Sequence, residues 1–558
     1  MLINWLPRKS VPSPPLAGWC LGPMKRSTEE VNPKNSSGWC MQRFQRSNAH
    51  RVWSQERLRS WVSTAYRDES IVVLANREPV RHDRAADGTI TCRRSVGGLV
   101  TALEPLVQTC SGVWVAHGAG TADRAVVDGQ DCVEVAASDR PYRLRRVWLD
   151  STEERRYYQG FANEGLWPLC HRAHVRPIFR ADDFTTYQTV NARFAEAVSE
   201  EVTSRSPLIL VQDYHFALAP RAIRERLPLS TIIAFWHIPW PDPRDYSACP
   251  WGRELLRGLL GSTIVGFQTP EDCQNFMDTI DQLLDVDIDR RNQVITFDGE
   301  QTTVRAYPVS IEWPSRWTWQ APPVSVCRAD VRRELHLTPD IRLAVGVDRL
   351  DYTKGLNEKF LAVERLLELN PEWHEQFVLA QIAEPSRQCL ASYQAYGREL
   401  RATAERINTR FGSTTYRPII LLEAHHEPAD VYRFLRAADI CYVGSLHDGM
   451  NLVAKEFVAA RDDSQGVLVL SQFAGAAREL AGALIVNPYA VDKSARKLAE
   501  GLRMSPGEQM TRMCAMRSTV ADLNAYRWAV EMLMDASRLR GAEVNSGSAL
   551  GQQTAVMA

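Results

Sequence analysis

The chain has 558 residues, enough for about two to four domains with a sizeable core. Its 66 basic and 67 acidic residues nearly balance, which argues against a protein whose main partner is nucleic acid or an anionic membrane. No apolar run approaches the ~20 residues of a membrane helix, and the 12 Cys show no repeated spacing, which is typical of reduced thiols in the cytoplasm.

Residues 1–66 differ in composition from the rest of the chain. They contain ten Lys or Arg and only three Glu, with frequent Pro, Ser and Asn and no sustained apolar period before about Val52. This composition predicts a mostly disordered N-terminal extension. An organelle transit peptide and a start codon assigned too far upstream are two further interpretations of the same pattern.

From residue 70 onward, short apolar runs alternate with longer segments of helical spacing. Continuous apolar strands separated by helices predict an α/β fold in which parallel sheets are covered on both faces. The predicted strands are 71–75, 208–211, 231–235, 263–267, 343–347, 377–382, 418–422, 440–443 and 466–470. The clearest predicted helices are 191–203, 358–369 and 394–411.

Polar residues follow six of these runs at the point where the predicted strand ends. Ligands of parallel sheets bind beyond the carboxyl ends of the strands, so these residues predict a binding cleft. They are Asn76-Arg77, Gln212-Asp213-Tyr214-His215, Trp236-His237, Asp348–Gly355, Glu384–Arg387 and Ser445–Asn451.

The strands fall into two groups, one before and one after residue 312. Each group is large enough for a doubly wound, Rossmann-like domain, and two such domains facing each other would form a cleft. We therefore predict a first domain over 67–312 and a second over 313–530, with a tail over 531–558. The last helix of the second domain is expected to pack back on the first.

These motifs resemble the trehalose-6-phosphate synthase family (glycosyltransferase family 20), which are retaining enzymes of the two-domain GT-B fold. The resemblance covers about residues 70–530, and the run from Asp448 to Glu456 is its most specific part. It rests on Asn76-Arg77, Gly97-Gly98, Tyr157-Tyr158, Leu166-Trp167-Pro168, Asp213-Tyr214-His215, His237-Ile238-Pro239, Arg349–Gly355, Asp448–Glu456 and Ser471–Ala476. It implies transfer of glucose from UDP-glucose to glucose 6-phosphate, with retention of the α configuration and release of UDP.

The resemblance assigns a donor site mainly to the second domain. Arg349 and Lys354 would stabilise the charge that develops on the leaving diphosphate. Glu456 would hold the ribose hydroxyls, and Asp448 would bind the donor sugar. The backbone of Gly98 and of the start of the helix after Asp448 would approach the diphosphate. The full predicted donor set is Gly98, Arg349, Lys354, Asp448, Gly449, Met450, Asn451, Leu452, Val453 and Glu456.

The resemblance also assigns an acceptor site. Arg77 and Arg387 would bind the acceptor phosphate, and Tyr158 and Trp167 would form its aromatic wall. Asp213 would position the acceptor and His237 would act on the donor sugar and transition state. The predicted catalytic set is Asp213, His237, Arg349 and Lys354.

No metal and no cofactor is expected. Cys170-His171 with His174, and His425-His426, do not form a complete ligand set. The expected partners are the two substrates, a homodimer or homotetramer, and a separate phosphatase for the product, without nucleic acid or membrane. The expected location is the cytoplasm.

Two other functions compete with this interpretation. His447, Glu78-Pro79 and Glu384-Pro385 differ from the commoner family pattern near the predicted sugar sites, so a glucosylglycerol-phosphate synthase that uses glycerol 3-phosphate is the first alternative. A non-catalytic sugar-phosphate-sensing homologue is the second, although the predicted site residues are all present. The residues do not distinguish uridine, guanosine or adenosine as the donor nucleoside.

Overall fold

The computed structural model describes residues 52–67, 69–94, 98–109, 112–136, 141–172 and 175–555. The expectations for residues 1–51, Gly97 and His174 lie outside these ranges. The strands are β1 Ile71–Leu74, β2 Val80–Arg84, β3 Ile90–Arg94, β4 Val113–His117, β5 Cys132–Val135, β6 Tyr142–Val147, β7 Leu208–Gln212, β8 Thr231–Phe235, β9 Ile264–Phe267, β10 Asp287–Asp289, β11 Val294–Phe297, β12 Glu300–Ala306, β13 Arg342–Arg349, β14 Phe377–Glu384, β15 Ile419–Leu422, β16 Ile440–Val443, β17 Val467–Ser471 and β18 Leu484–Val486.

The helices alternate with these strands along most of the chain. They are α1 Gln55–Ala65, α2 Gly98–Thr109, α3 Ser151–Glu154, α4 Trp167–His171, α5 Ala181–Glu200, α6 Ala219–Arg226, α7 Pro243–Tyr246, α8 Gly252–Leu259, α9 Pro270–Leu283, α10 Arg316–Gln320, α11 Val324–Glu334, α12 Leu356–Leu369, α13 Ala391–Phe411, α14 Pro428–Ala437, α15 Leu452–Ala460, α16 Val491–Arg503, α17 Pro506–Asp522 and α18 Ala525–Ala555. A π-helix, Arg155–Leu166, joins α3 to α4.

The first sheet has ten strands in the order β10-β11-β12-β9-β8-β7-β1-β4-β6-β5. Its strands from β12 to β6 in this order pair in parallel, while β10, β11 and β5 are antiparallel additions at the edges. The central strands β1, β7, β8 and β9 are buried along their whole length. This is why they are visible in the sequence as continuous apolar runs.

The second sheet has six parallel strands in the order β15-β14-β13-β16-β17-β18. Alternate residues of β13 enter different apolar cores: Leu343 and Val345 join a core shared with the first sheet, and Ala344 joins a separate core on the opposite face. Both faces of the second sheet are therefore covered, as the sequence predicted. The strand order of both sheets, with helical crossovers, gives the two Rossmann-like halves of a GT-B fold.

The first helix corrects the expected extent of disorder. Residues 55–65 form α1, inside the segment 1–66 that we expected to be disordered. Ser54 caps the helix by accepting a hydrogen bond from the Arg57 amide, and Leu58 and Val62 are buried at helical spacing. Two apolar residues four positions apart are too short a pattern to outweigh the basic composition around them.

The last helix crosses the expected boundary at residue 530. Helix α18 runs from Ala525 to Ala555 and contacts α1, α2 and β8. The Tyr66 hydroxyl donates to the Leu533 carbonyl at 2.8 Å, and the Trp528 indole donates to the Tyr307 carbonyl at 3.1 Å. Residues 531–540 are thus a packed part of this helix rather than the start of a tail.

Candidate active site

Asp213 follows β7 directly and has an unusual backbone conformation. Its φ of 75° and ψ of 170° lie in a region that non-glycine residues rarely adopt, and such strain is concentrated at functional sites. Its carboxylate accepts hydrogen bonds from the amides of Tyr214 (3.0 Å) and His237 (3.2 Å). Removal from water raises its pKa to about 7, although these hydrogen bonds and the charges of Arg349 and Arg387 act in the opposite direction.

His237 follows β8 and lies beside Asp213. Its Nε2 is 2.9 Å from Oε1 of the buried Gln212, so this nitrogen donates and Nδ1 is left as an acceptor. Burial lowers the pKa of His237 to about 3, which keeps the ring neutral at physiological pH. A neutral imidazole in this position can accept a hydrogen bond from a sugar hydroxyl.

Lys354 and Asp448 form a close ion pair between two strand ends of the second sheet. Lys354 Nζ donates to Asp448 Oδ2 at 2.5 Å, and each side chain is only 12% exposed. Ser445 Oγ and Asn451 Nδ2 each donate to the same Oδ2 at 3.1 Å. Burial acts to raise the pKa of Asp448, but the Lys354 ammonium outweighs it and holds the pKa below its usual range.

The segment before α15 approaches the first sheet very closely. A Cβ on Gly449 would collide with the carbonyl oxygen of His237, so this position tolerates only glycine. Asn451, at φ 71°, caps α15 by accepting from the Ala454 amide at 3.2 Å. The free amides at the start of this nine-residue helix favour an anion.

Arg387, from the second sheet, contacts residues of the first. Its guanidinium carbon lies 4.1 Å from the centre of the Trp167 ring, and Nη2 is 3.4 Å from the Tyr214 hydroxyl. Nη1 donates to Asp351 Oδ2 at 2.9 Å. The fully buried Asp351 also accepts from the Tyr393 hydroxyl at 3.1 Å. Burial acts to raise the pKa of the Asp351 carboxyl, but the positive charges of Arg387 and Arg349 outweigh it and lower the pKa to about 2.

Arg77 and Tyr158 come from different elements of the first half and meet at the same end of the cleft. Tyr158 lies in the π-helix and stacks on His215, with ring centres 5.5 Å apart. Burial acts to raise its pKa, but the charges of Arg387, Arg77 and Arg349 and a hydrogen bond from Arg77 lower it. Arg77 itself is exposed at the end of β1. The charges of three arginines therefore act on one phenol.

A cavity of about 640 Å³ opens beside these residues. Arg349, Val453 and Glu456 line it from the second sheet, and Arg77 lines it from the first. Burial raises the pKa of Glu456 to about 7. The volume is in the range of small-molecule sites, and its walls offer cations and carboxylates to a charged, hydroxylated ligand.

Several of the remaining predicted residues lie around this arrangement rather than inside the cavity. Met450 is buried in the core, and Leu452 opens α15 just before Val453, which lines the cavity. Gly98 opens α2. The three departures from the family pattern are dispersed: His447 lies against Phe473, with ring centres 5.1 Å apart, Glu384 lines the cavity, and Glu78 is buried.

Sequence reasoning missed two features of the site. Asp351 lies within the Arg349–Gly355 motif, but nothing in its spacing shows that it binds Arg387. The antiparallel hairpin β2–β3, which supplies Arg81 and Arg93 to the cavity, was also missed. Its Asp87-Gly88 turn is a recognisable hairpin signal, but polar strands conceal it.

The described part of the chain contains neither a candidate metal site nor a candidate membrane-spanning helix. No three His, Cys, Asp or Glu side chains there are grouped closely enough to hold a metal ion. No described helix has the length and apolar character needed to cross a membrane.

The fold and the site together define a nucleotide-sugar-dependent transferase with the GT-B fold. The sequence pattern of glycosyltransferase family 20 matches residues 69–538, and the chain belongs to this family. The trehalose-6-phosphate synthase of Mycobacterium marinum is 37% identical over 473 residues, covering 84% of this chain and 93% of its own.

Solved structures agree with this assignment. The E. coli structure with bound UDP-2-fluoro glucose superposes with a TM-score of 0.75 at 32% identity and covers 84% of this chain and 99% of its own. The UDP-forming α,α-trehalose-phosphate synthase from Burkholderia xenovorans in complex with glucose-6-phosphate has a TM-score of 0.73 at 31% identity, with coverages of 84% and 99%. The predictions of family and fold class are confirmed.

Proposed function

We propose that this protein is an α,α-trehalose-6-phosphate synthase, which transfers glucose from UDP-glucose to glucose 6-phosphate with retention and releases UDP. The observation that supports this most strongly is the position of Asp213, which accepts hydrogen bonds from the amides of Tyr214 and His237 and lies near the charges of Arg349 and Arg387. Both arginines lie over the Trp167 ring, 5.1 and 4.1 Å from its centre, and both pair with Asp351, so they form one cationic cluster that could bind a sugar phosphate beside a diphosphate. The neighbours that bind UDP-2-fluoro glucose and glucose-6-phosphate have the same fold.

The donor would bind along the second sheet. Arg349 and Lys354 are fixed cations beside the place where the diphosphate leaves, and their charge stabilises the transition state more than the bound substrate. Asp448 is held in its carboxylate form and can accept from the glucose hydroxyls. Glu456 lines the cavity and can accept from both ribose hydroxyls once it is deprotonated.

The acceptor would bind between the two sheets. Arg387 and Arg77 supply the charge for its phosphate, while Tyr158 and Trp167 supply the aromatic wall. Because the Asp351 carboxylate accepts a hydrogen bond from Arg387, the guanidinium is already oriented before the phosphate binds. Asp213 would then hold the hydroxyl that attacks.

The proposed chemistry needs no protein nucleophile. Asp213 is bound by two backbone amides and oriented by them, which suits a group that positions the acceptor. The departing phosphate oxygen can take the proton of the acceptor hydroxyl on the same face of the sugar, and this gives retention. His237 can hold the donor sugar through Nδ1 while the bond breaks.

We also propose a cytoplasmic enzyme that acts as a homodimer or homotetramer and passes its product to a separate phosphatase. The described cysteines form no disulfide, which fits a reducing compartment.

An acceptor screen tests the proposal. Purified protein and UDP-glucose are mixed with glucose 6-phosphate or with glycerol 3-phosphate, and released UDP is followed. We expect turnover with glucose 6-phosphate, and turnover only with glycerol 3-phosphate would contradict the proposed product. The matched control is Arg349→Gln with Lys354→Gln, which should be inactive with either acceptor. A protein that binds UDP but transfers to neither acceptor would support the sensing alternative.

A further inference from the structure

The hairpin β2–β3 lines the 640 Å³ cavity together with Arg349 and Glu456. In its antiparallel register Arg81 is directly opposite Arg93, and Asp83 is opposite Thr91. Directly opposite residues point to the same face of a ladder, so the two arginines share one face. Both line the cavity.

Two like charges directly opposite each other in a hairpin are unfavourable unless a counter-charge is present. Asp83 pairs with Arg81 at 3.1 Å and supplies part of this counter-charge. The Arg93 side chain lines the cavity and makes no hydrogen bond or ion pair with any residue that the structure describes. Among the described residues, one guanidinium of the pair therefore lacks a counter-charge.

Three other carboxylates that line the cavity, those of Asp348, Glu312 and Glu384, already have partners, and neither Glu427 nor Glu456 makes a described ion pair with Arg93. Lys359 Nζ is 2.5 Å from Asp348 Oδ2, and Arg316 Nε donates to Glu312 at 3.0 Å. On the far side of the cavity, His425 lies 2.8 Å from Glu384. The counter-charge for Arg93 is thus expected from a bound anion.

The hairpin is held firmly in place. Beneath it, the fully buried Arg146 donates to the Val80 carbonyl at 3.1 Å and contacts both Glu78 and Asp123 at 2.9 Å. The His82 amide also donates to Asp123 at 2.8 Å. These bonds fix β2, and the ladder to β3 fixes Arg93 with it, so the guanidinium lies in the wall before a ligand binds.

We propose that this hairpin belongs to the donor site and that Arg93, assisted by Arg81, binds the diphosphate of the nucleotide sugar. The inference rests on the proposed function, because it takes the cavity to hold a nucleoside diphosphate. The Arg93 guanidinium lines the same cavity as Arg349, so the diphosphate would be bound by cations from both halves of the chain. These contacts would form with the bound substrate as well as with the transition state. We therefore expect them to change the affinity for the nucleotide sugar.

The test compares Arg93→Gln with Arg84→Gln. Both variants remove one positive charge from the same hairpin, but Arg84 is on the opposite face and does not line the cavity. UDP binding is measured by calorimetry at low and high salt, and kinetic constants are measured for both substrates. We expect Arg93→Gln to weaken UDP binding by about tenfold or more and to raise the UDP-glucose KM similarly. The value of kcat and the glucose 6-phosphate KM should change less than twofold.

Arg84→Gln is expected to match the wild type, and the loss in Arg93→Gln should shrink at high salt. Equal UDP affinity in the two variants would overturn the proposal, and so would a rise confined to the glucose 6-phosphate KM. UDP binding is measured without acceptor, so the comparison decides about the hairpin even if the proposed acceptor is wrong. No described contact is lost in Arg93→Gln, so misfolding is not expected to confuse the result.

Discussion

Arg387 and Trp167 meet across the two halves of the chain, with the guanidinium carbon 4.1 Å from the ring centre. Arg387 is 7% exposed and is fixed by Asp351, whose Oδ2 accepts at 2.9 Å. A stack of this kind uses the flat face of the guanidinium and leaves its edge for hydrogen bonds. The contact therefore orients a phosphate-binding group with residues from both halves.

Arg387→Lys keeps the charge but loses the planar fork and the stack. We expect the glucose 6-phosphate KM to rise about tenfold to 100-fold, since hydrogen bonds to charged groups contribute about 1.5–3 kcal/mol. UDP affinity should be unchanged, and Trp167→Phe, which keeps an aromatic face, should have a smaller effect. An unchanged glucose 6-phosphate KM in Arg387→Lys would contradict the assignment of this arginine to the acceptor.

Lys354 is paired with Asp448 before any substrate binds, at 2.5 Å. Lys354→Gln removes a cation from the leaving diphosphate and leaves Asp448 without its counter-charge. We expect kcat to fall by about 10²–10³, as for other groups that stabilise transition-state charge. Lys497→Gln, which breaks a surface pair with Glu500, is the control and should keep full activity. Initial rates with saturating substrates measure the difference, and a loss of less than threefold would argue against a role for Lys354 in the chemical step.

How much of the fold was predictable depended on burial. All nine apolar runs form strands, because strands buried on both faces need apolar residues at every position. Among the strands that we missed, β3, which is exposed along its whole length, and β10 are polar edge elements, and no apolar pattern marks them. The buried strand β4, which lies inside the first sheet beside β1, was also missed although its residues are mostly apolar.

The positions of the candidate site residues at strand ends were predictable, but their side-chain pairings were not. Asp213 and His237 could be predicted to lie at the same edge of the sheet because each follows a buried strand. The partners Asp351 for Arg387 and Arg146 for Glu78 are 36 and 68 positions away, and spacing alone does not show such pairs. Asp351 has no ligand role of its own in the arrangement; its contribution is to hold another side chain.

The raised pKa of Asp213 predicts a pH-dependent stability. Burial raises this pKa from about 3.8 to about 7, so the folded protein holds the proton more tightly than the unfolded chain. The associated stability is complete below about pH 4 and is lost as the pH rises through 7. Asp213→Asn should therefore raise the melting temperature relative to wild type at pH 8, and this gain should shrink toward pH 5.

Asp340→Asn, at an exposed position, is the control for this experiment and should show no such trend. Thermal unfolding of ligand-free protein between pH 5 and 8.5 measures the effect. A difference between Asp213→Asn and wild type that is the same at every pH would show that this carboxyl does not titrate in the predicted range.

Gly449 occupies a position where a side chain has no room. Its missing side chain leaves room for the His237 carbonyl, so Gly449→Ala must push the donor loop away from the first sheet. We expect a large rise in the UDP-glucose KM and a loss of about 1–3 kcal/mol in the free energy of unfolding. Gly507→Ala is the matched control, because no atom lies within 4 Å of its added Cβ. Equal kinetics in the two variants would mean that the close approach is not needed for turnover.

Arg146 is the centre of the buried charge cluster beneath the β2–β3 hairpin, and it is fully buried between Glu78 and Asp123. Arg146→Met leaves these carboxyls without their cation, and breaking a buried pair costs about 3–5 kcal/mol. Burial raises the pKa of Glu78 to about 8, with a further contribution from Asp123. Glu78→Gln resembles the protonated acid and should cost no more than about 1 kcal/mol at pH 7.

Urea unfolding at pH 7 measures both variants, and UDP binding reports on the hairpin above them. Arg146→Met should weaken UDP binding as well as stability, because the Val80 carbonyl loses its donor and the hairpin is released. Glu78→Gln should retain most of the UDP affinity. If the two variants were equally unstable, Glu78 would have to be ionised in the folded protein, and the departure from the family pattern at this position would be a true buried ion pair.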